Sequence, residues 1–98
     1  MDNNQSVLNS VFQALTDPTR RAIIKHLGRG SATISELAEP FDMALPSFMK
    51  HIRILEESGL VDSIKVGRVR TCKIKPKKLV TAETWINEQR IVWDSAVK

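Results

Sequence analysis

The 98-residue chain holds one cysteine, no tyrosine, four glycines and four prolines. A lone thiol, Cys72, excludes a disulfide within the chain and a thiolate metal cluster, and it suits a reducing cytoplasm. So few glycines and prolines argue against a low-complexity or disordered chain. The opening "MDNNQSVLNSVFQ" has no basic region leading into an apolar core. No apolar run approaches bilayer length, so neither a secretion signal nor a membrane span is expected, and no membrane partner. A glycine-rich phosphate loop is missing, and neither a nucleophile–base pair nor a carboxylate pair stands out. Asp17, His26 and Ser35 form a triad only on paper, because Asp17 serves better as a helix cap. Catalysis is therefore the least supported class, and no catalytic residue is assigned.

What is present is an ordinary globular composition, 42% apolar and 27% charged. The length fits one domain with a modest core that a partner subunit would help to complete. The net charge is +4, unevenly placed. Residues 20–78 carry thirteen Lys/Arg against six Asp/Glu, while both ends are slightly acidic. A basic middle suits a polyanion such as nucleic acid, although a solvated basic surface has the same composition.

Val7, Leu8, Val11, Phe12 and Leu15 recur at helical spacing and predict a first helix over about 5–15. In "TDPTRRAIIKHLG", Asp17 is an N-cap, Pro18 fits the first helical position and Gly28 marks an end, giving a second helix over about 18–27. Thr33 and Glu36 make a capping box that starts a short third helix, stopped by Pro40. "LPSFMKHIRILEESGL" is a fourth, with Phe48, Ile52 and Leu55 inward and Gly59 ending it. Two helices, a tight connector and another amphipathic helix fit a helix-turn-helix, and they equally fit a plain helical hairpin.

The next segment favours the former. "LVDSIKVGRVRTCKIKP" reads as a two-stranded hairpin turning near Gly67 and Arg68. Between residues 65 and 78 it carries Lys65, Arg68, Arg70, Lys73, Lys75, Lys77 and Lys78 with no acidic residue. A solvated face usually mixes signs, so a purely cationic hairpin is better explained as a wing laid along phosphates. A last helix from about 77 has Leu79, Ala82, Ile86, Trp93 and Ala96 on one face, with Trp85 and Val92 beside it. That face is too wide for a small core to cover, so the end helices 5–15 and 77–98 are expected to dimerise. The plainer alternative has both tryptophans capping the core of one chain. The fold class is mainly α with a small β-hairpin: one domain over 1–98 with about five helices and a two-stranded wing.

"LTDPTRRAIIKHL", "TISELAEPFDMALPSFMKHIRILEESGLV", the "VGRVR" wing and the terminal "TWINEQRIVW" together resemble the ArsR-type winged helix-turn-helix transcriptional repressors of bacteria. They cover nearly the whole chain in the family's order. The resemblance is to the branch without metal ligands. Where metal sensors carry Cys-x-Cys this chain has "ISELAEP", and its terminal helix has Glu83, Glu88 and Asp94 but no histidine. His26 and His51 are single residues on separate helices, whereas zinc needs several converging ligands. No metal and no cofactor are expected, and no effector is assigned. Where many relatives have Ser or Thr before the recognition helix this chain has Ala44, and where they commonly have Ser before the Lys/Gln-His pair it has Met49.

The resemblance implies a homodimer that sets two copies of the fourth helix in the major grooves of a pseudo-palindromic, double-stranded DNA operator and represses transcription, its own gene being one candidate target. Ser47, Met49, Lys50 and His51 are candidates for the base-facing surface, lying in the N-terminal half where such helices meet base edges. Arg53, Lys65, Arg68 and Arg70 are candidates for phosphate contacts. Arg20 and Arg21 either touch the DNA backbone or pair with a nearby carboxylate. Leu8, Val11, Phe12, Trp85, Ile86, Val92 and Trp93 are the candidate dimer contacts. Two alternatives stay open: a winged-helix protein interaction module without DNA binding, and a repressor that answers to a non-metal effector.

Overall fold

The apolar stripe of the first segment forms helix α1 (Asn3–Ala14), whose Val11 and Ala14 are wholly buried. The computed structural model describes residues 3–96, so Met1 and Asp2 of the expected domain and Val97 and Lys98 of the expected last helix lie outside the described residues. Helix α2 (Pro18–Leu27) starts as its sequence dictates. Extended backbone at Asp17 lets its Oδ2 accept from the N–H groups of Thr19 at 2.8 Å and Arg20 at 3.1 Å, with Pro18 in the first turn. The capping box forms as well. Thr33 Oγ1 accepts from Glu36 N at 3.2 Å, and Glu36 Oε1 accepts from Thr33 N at 2.9 Å, opening α3 (Ile34–Ala38).

Helix α4 (Leu45–Glu57) buries Phe48, Ile52 and Leu55, the three residues its spacing turned inward. It ends in a Schellman motif: Gly59 N bonds Glu56 O at 3.0 Å and Leu60 N bonds Leu55 O at 3.1 Å. Gly59 takes φ +78° for this, and the Lys78 side chain lies so close that an added Cβ would stand 2.7 Å from its Cδ. Any other residue there meets both backbone strain and a neighbour. Buried Leu60 and Val61 then carry the chain into the core.

Strands β2 (Val61–Val66) and β3 (Val69–Ile74) pair antiparallel around Gly67 and Arg68, with Lys65 opposite Arg70 and Val66 opposite Val69. Gly67 has φ +62°, as a two-residue hairpin turn requires. The expected two-stranded wing forms, and a third strand joins its sheet, giving the order β1-β3-β2. Strand β1 (Ala32–Thr33) sets Ala32 opposite Cys72 and Thr33 opposite Thr71. Two residues are too few to show alternation, so nothing in the sequence announced it.

Helix α5 (Lys77–Ala96) packs on α1 through its first half, where Ala82 is buried and Trp85 meets Phe12 edge to face at 6.0 Å. Beyond that point Ile86, Ile91, Val92 and Trp93 are exposed. The core itself is assembled from α1, α2, α3, α4, Ala82 of α5 and the strands, with the rings of Phe41 and Phe48 tilted against each other at 5.8 Å. Cys72 sits fully inside it. Burial pushes its thiol up to about 11, the negative charge of Glu56 adding to the effect and Arg70 opposing it.

Candidate nucleic-acid interface

Packing Phe48, Ile52 and Leu55 inward leaves the opposite face of α4 in solvent, and Ser47, Lys50 and Arg53 are exposed on it. Ala44 caps the helix with its backbone alone, accepting from Phe48 N at 3.1 Å. Its side chain adds nothing, at a cost of about 1 kcal/mol relative to serine. Met49 is half-buried and packs on the core while lining a groove of ≈ 530 Å³ between α4, the start of α3 and the wing. Lys65, Arg68 and Arg70 border that groove from the wing side.

The hairpin's cations do not act as one set. Lys65 and Arg68 are exposed near the tip, but Arg70 is held back: its Nη1 lies 3.6 Å from Glu56 Oε2 and 3.5 Å from Ser63 Oγ. Ser63 Oγ donates to the same Glu56 oxygen, so the end of α4 clamps the root of the wing. Lys73, Lys75 and Lys77 gather instead at the hairpin's base around a separate hollow of ≈ 430 Å³ with Asp62, Pro76 and Val80. Six of the seven cations between residues 65 and 78 thus fall into two clusters of three, and the seventh, Lys78, lies against Gly59.

His51 leaves the exposed face and turns toward α2. Its Nδ1 lies 3.1 Å from Arg20 Nη1 and 3.7 Å from Asp17 Oδ2, with 21% of the side chain exposed. Arg20 is 7% exposed. Its Nε donates to Ala14 O at 2.7 Å and its Nη2 to Gln13 O at 3.3 Å, closing the last turn of α1. Arg21 Nη1 donates to Leu15 O at 2.6 Å. Neither arginine pairs with a carboxylate among the described residues. Burial raises the Asp17 carboxyl, but the Arg20 and Thr19 backbone N–H groups and the neighbouring His51 and Arg20 side chains together outweigh it, and Asp17 is held below its ordinary range.

Of the candidate dimer contacts, Val11 is corrected. It is wholly buried within its own chain and packs the core. Leu8 is half-buried, whereas Phe12, Trp85, Ile86, Val92 and Trp93 present apolar surface. Sequence reading missed the Arg20–His51 contact and the Glu56–Arg70 clamp. Arg20 gave one signal, a cation in a stretch whose neighbours Ile23, Ile24 and Leu27 turn inward.

Among the described residues no helix is long and apolar enough to cross a membrane, and no group of three or more His, Cys, Asp or Glu stands ready to hold a metal ion.

This arrangement has known counterparts. The family pattern of a helix-turn-helix domain matches residues 15–64, from the end of α1 into β2. The chain is 30% identical over 79 residues to the transcriptional repressor SdpR of Bacillus subtilis (strain 168), covering 81% of this chain and 88% of that protein. A crystal structure of an ArsR family transcriptional regulator is 56% identical, with a TM-score of 0.90 over 97% of this chain and 98% of that one. An ArsR-like transcriptional regulator from Rhodococcus sp. RHA1 is 31% identical, with a TM-score of 0.80 over 98% of this chain and 91% of that one. With a recognition helix, a cationic wing and these relatives in hand, the chain belongs to the ArsR family of winged helix-turn-helix transcriptional regulators, DNA-binding proteins and not enzymes.

Proposed function

We propose that the protein is a homodimeric repressor that binds a pseudo-palindromic operator, with the whole chain acting as one winged domain and α1 and α5 as its dimerisation helices. One observation carries the DNA side of this reading. The wing residues Lys65 and Arg68 border an open groove whose α4 side is formed by Leu45 and Met49, Ser47, Lys50 and Arg53 are exposed on that same helix, and among the described residues none of these four cations pairs with a carboxylate. Lys50, Ser47 and Met49 then meet base edges, with His51 on the flank, while Arg53, Lys65 and Arg68 lie on phosphates and position the duplex. Arg70 contributes less than its neighbours because Glu56 already engages it.

The dimer side rests on apolar surface. Val92 is 61% and Trp93 57% exposed on a helix whose first half is packed, a distribution that suits a second copy more than water. The name of SdpR, a transcriptional repressor, supports repression, which follows when an occupied promoter excludes polymerase. The site of action would be the cytoplasm, where the operator lies and where a lone buried thiol stays reduced.

Footprinting the purified protein over the DNA upstream of its own gene tests the reading. Protection of two half-sites one helical turn apart is expected, and binding that vanishes into non-specific retention at moderate salt would overturn it.

A further inference from the structure

Arg20 and Ser58 are the buried polar side chains among the described residues, and only Arg20 reaches another element's functional face. Two of its nitrogens satisfy the Gln13 and Ala14 carbonyls at the end of α1. The third, Nη1, lies 3.1 Å from Nδ1 of His51 on α4. A guanidinium is always protonated and can only donate, so Nδ1 must accept. A neutral imidazole that accepts at Nδ1 carries its proton at Nε2. The competing arrangement would have Nδ1–H donate to Asp17 Oδ2, but that oxygen is 3.7 Å away, beyond hydrogen-bond reach, and already accepts from two backbone N–H groups. Among the described residues every buried side-chain nitrogen has a partner, whereas Nε2 of His51 has none and therefore opens to solvent.

We infer that Arg20 is a positioning residue for DNA recognition: it holds His51 as the Nε2–H tautomer, so that the α2-facing flank of the recognition helix offers DNA a fixed hydrogen-bond donor. This rests on the reading that α4 lies on DNA. The partner is an acceptor, either a phosphate oxygen or a purine N7 or guanine O6 in the major groove. The same guanidinium ties the end of α1 to α4, so the donor's place is set by three helices at once.

Two measurements on the folded full chain decide the matter. Long-range proton–nitrogen-15 NMR of the imidazoles at pH 8, assigned with a His26→Gln variant, should give the Nε2–H pattern for His51 in the free protein. A Nδ1–H pattern would overturn the inference without any DNA measurement. An Arg20→Met variant, if folded by circular dichroism, should move His51 toward Nδ1–H against Asp17. If it does not fold, the wild-type spectrum and the following pair still decide.

In binding to the footprinted operator, His51→Gln, whose amide can donate near the Nε2 position, should stay within about threefold of wild type, and His51→Ala should lose about tenfold per half-site. A uniform loss across sequences identifies phosphate as the acceptor, and an altered sequence preference identifies a base. Wild-type binding matched by His51→Ala overturns the inference and leaves the repressor reading standing. Absence of operator binding by the wild type removes the repressor reading itself.

Discussion

Replacing Arg68 by alanine removes an exposed guanidinium at the wing tip, whereas replacing Arg70 removes one already engaged by Glu56 at 3.6 Å. The two variants have the same formal charge and sit two residues apart, yet the structure assigns them different consequences. On the proposed reading each protomer turns the exposed cations Lys50, Arg53, Lys65 and Arg68 toward DNA. If all eight in a dimer neutralise phosphates, the slope of log K against log salt is about −7, at −0.9 per phosphate. Arg68→Ala deletes two of the eight and should bring the slope to about −5.4 while weakening binding to all sequences alike. Arg70→Ala should leave the slope nearly unchanged, and its weaker binding should come from a Glu56 carboxylate left without its cation beside the wing. Fluorescence anisotropy on a labelled operator between about 50 and 200 mM salt measures both slopes. Equal losses of slope in the two variants would refute the division of the wing's cations, and an unchanged slope for Arg68→Ala would refute the phosphate role of the wing tip.

Asp17→Ala removes the α2 cap and should cost about 1 kcal/mol in urea denaturation, with Asp17→Asn keeping most of that stability. Because the folded carboxyl titrates below its ordinary value of 3.8, the wild-type advantage from its charge is fully present above that pH and lost as pH falls below it. Asp17→Asn should therefore show a flatter acid limb than wild type, and an identical limb would count against it. Trp93→Glu on the exposed half of α5 should give a monomer by sedimentation equilibrium at micromolar concentration with helical content retained, and a dimer as tight as wild type would exclude this face from the interface. Cys72, with its thiol pushed up to about 11 and its side chain in the core, should be inert to a thiol reagent at pH 8 and react at full stoichiometry in urea. Rapid reaction in the native state would contradict its burial.

Local chemistry made most of the fold legible. The caps at Asp17 and Thr33, the stop at Gly59 and the turn at Gly67 act within a few residues of themselves, so their signatures stand in the sequence and each formed as expected. The inward face of α4 was equally readable because Phe48, Ile52 and Leu55 obey the helical period. The missed features are contacts between distant segments. Arg20 meets His51 across 31 residues, and Ala32 pairs with Cys72 across 40, so neither leaves a local pattern. The run of cations from 65 to 78 divides in space for a related reason. Extended chain advances about 3.3 Å per residue, which carries Lys73 and Lys75 away from Arg68 and to the other end of the hairpin. Val11 was assigned to an interface because one apolar stripe cannot say which of its residues a neighbouring helix will cover.

Thr33 belongs to two elements at once, pairing with Thr71 as the last residue of β1 and capping α3 with its hydroxyl. The wing and the helix before the recognition helix therefore share this residue, like the two jaws of a calliper meeting at a pivot. Thr33 itself lines the opening between them, together with Lys65, Arg68 and Arg70 of the wing. Loosening that pivot with Thr33→Ala would leave every DNA-facing residue in place chemically while letting the gauge drift, so its signature would be a blurred footprint and tolerance of altered half-sites before any loss of non-specific affinity.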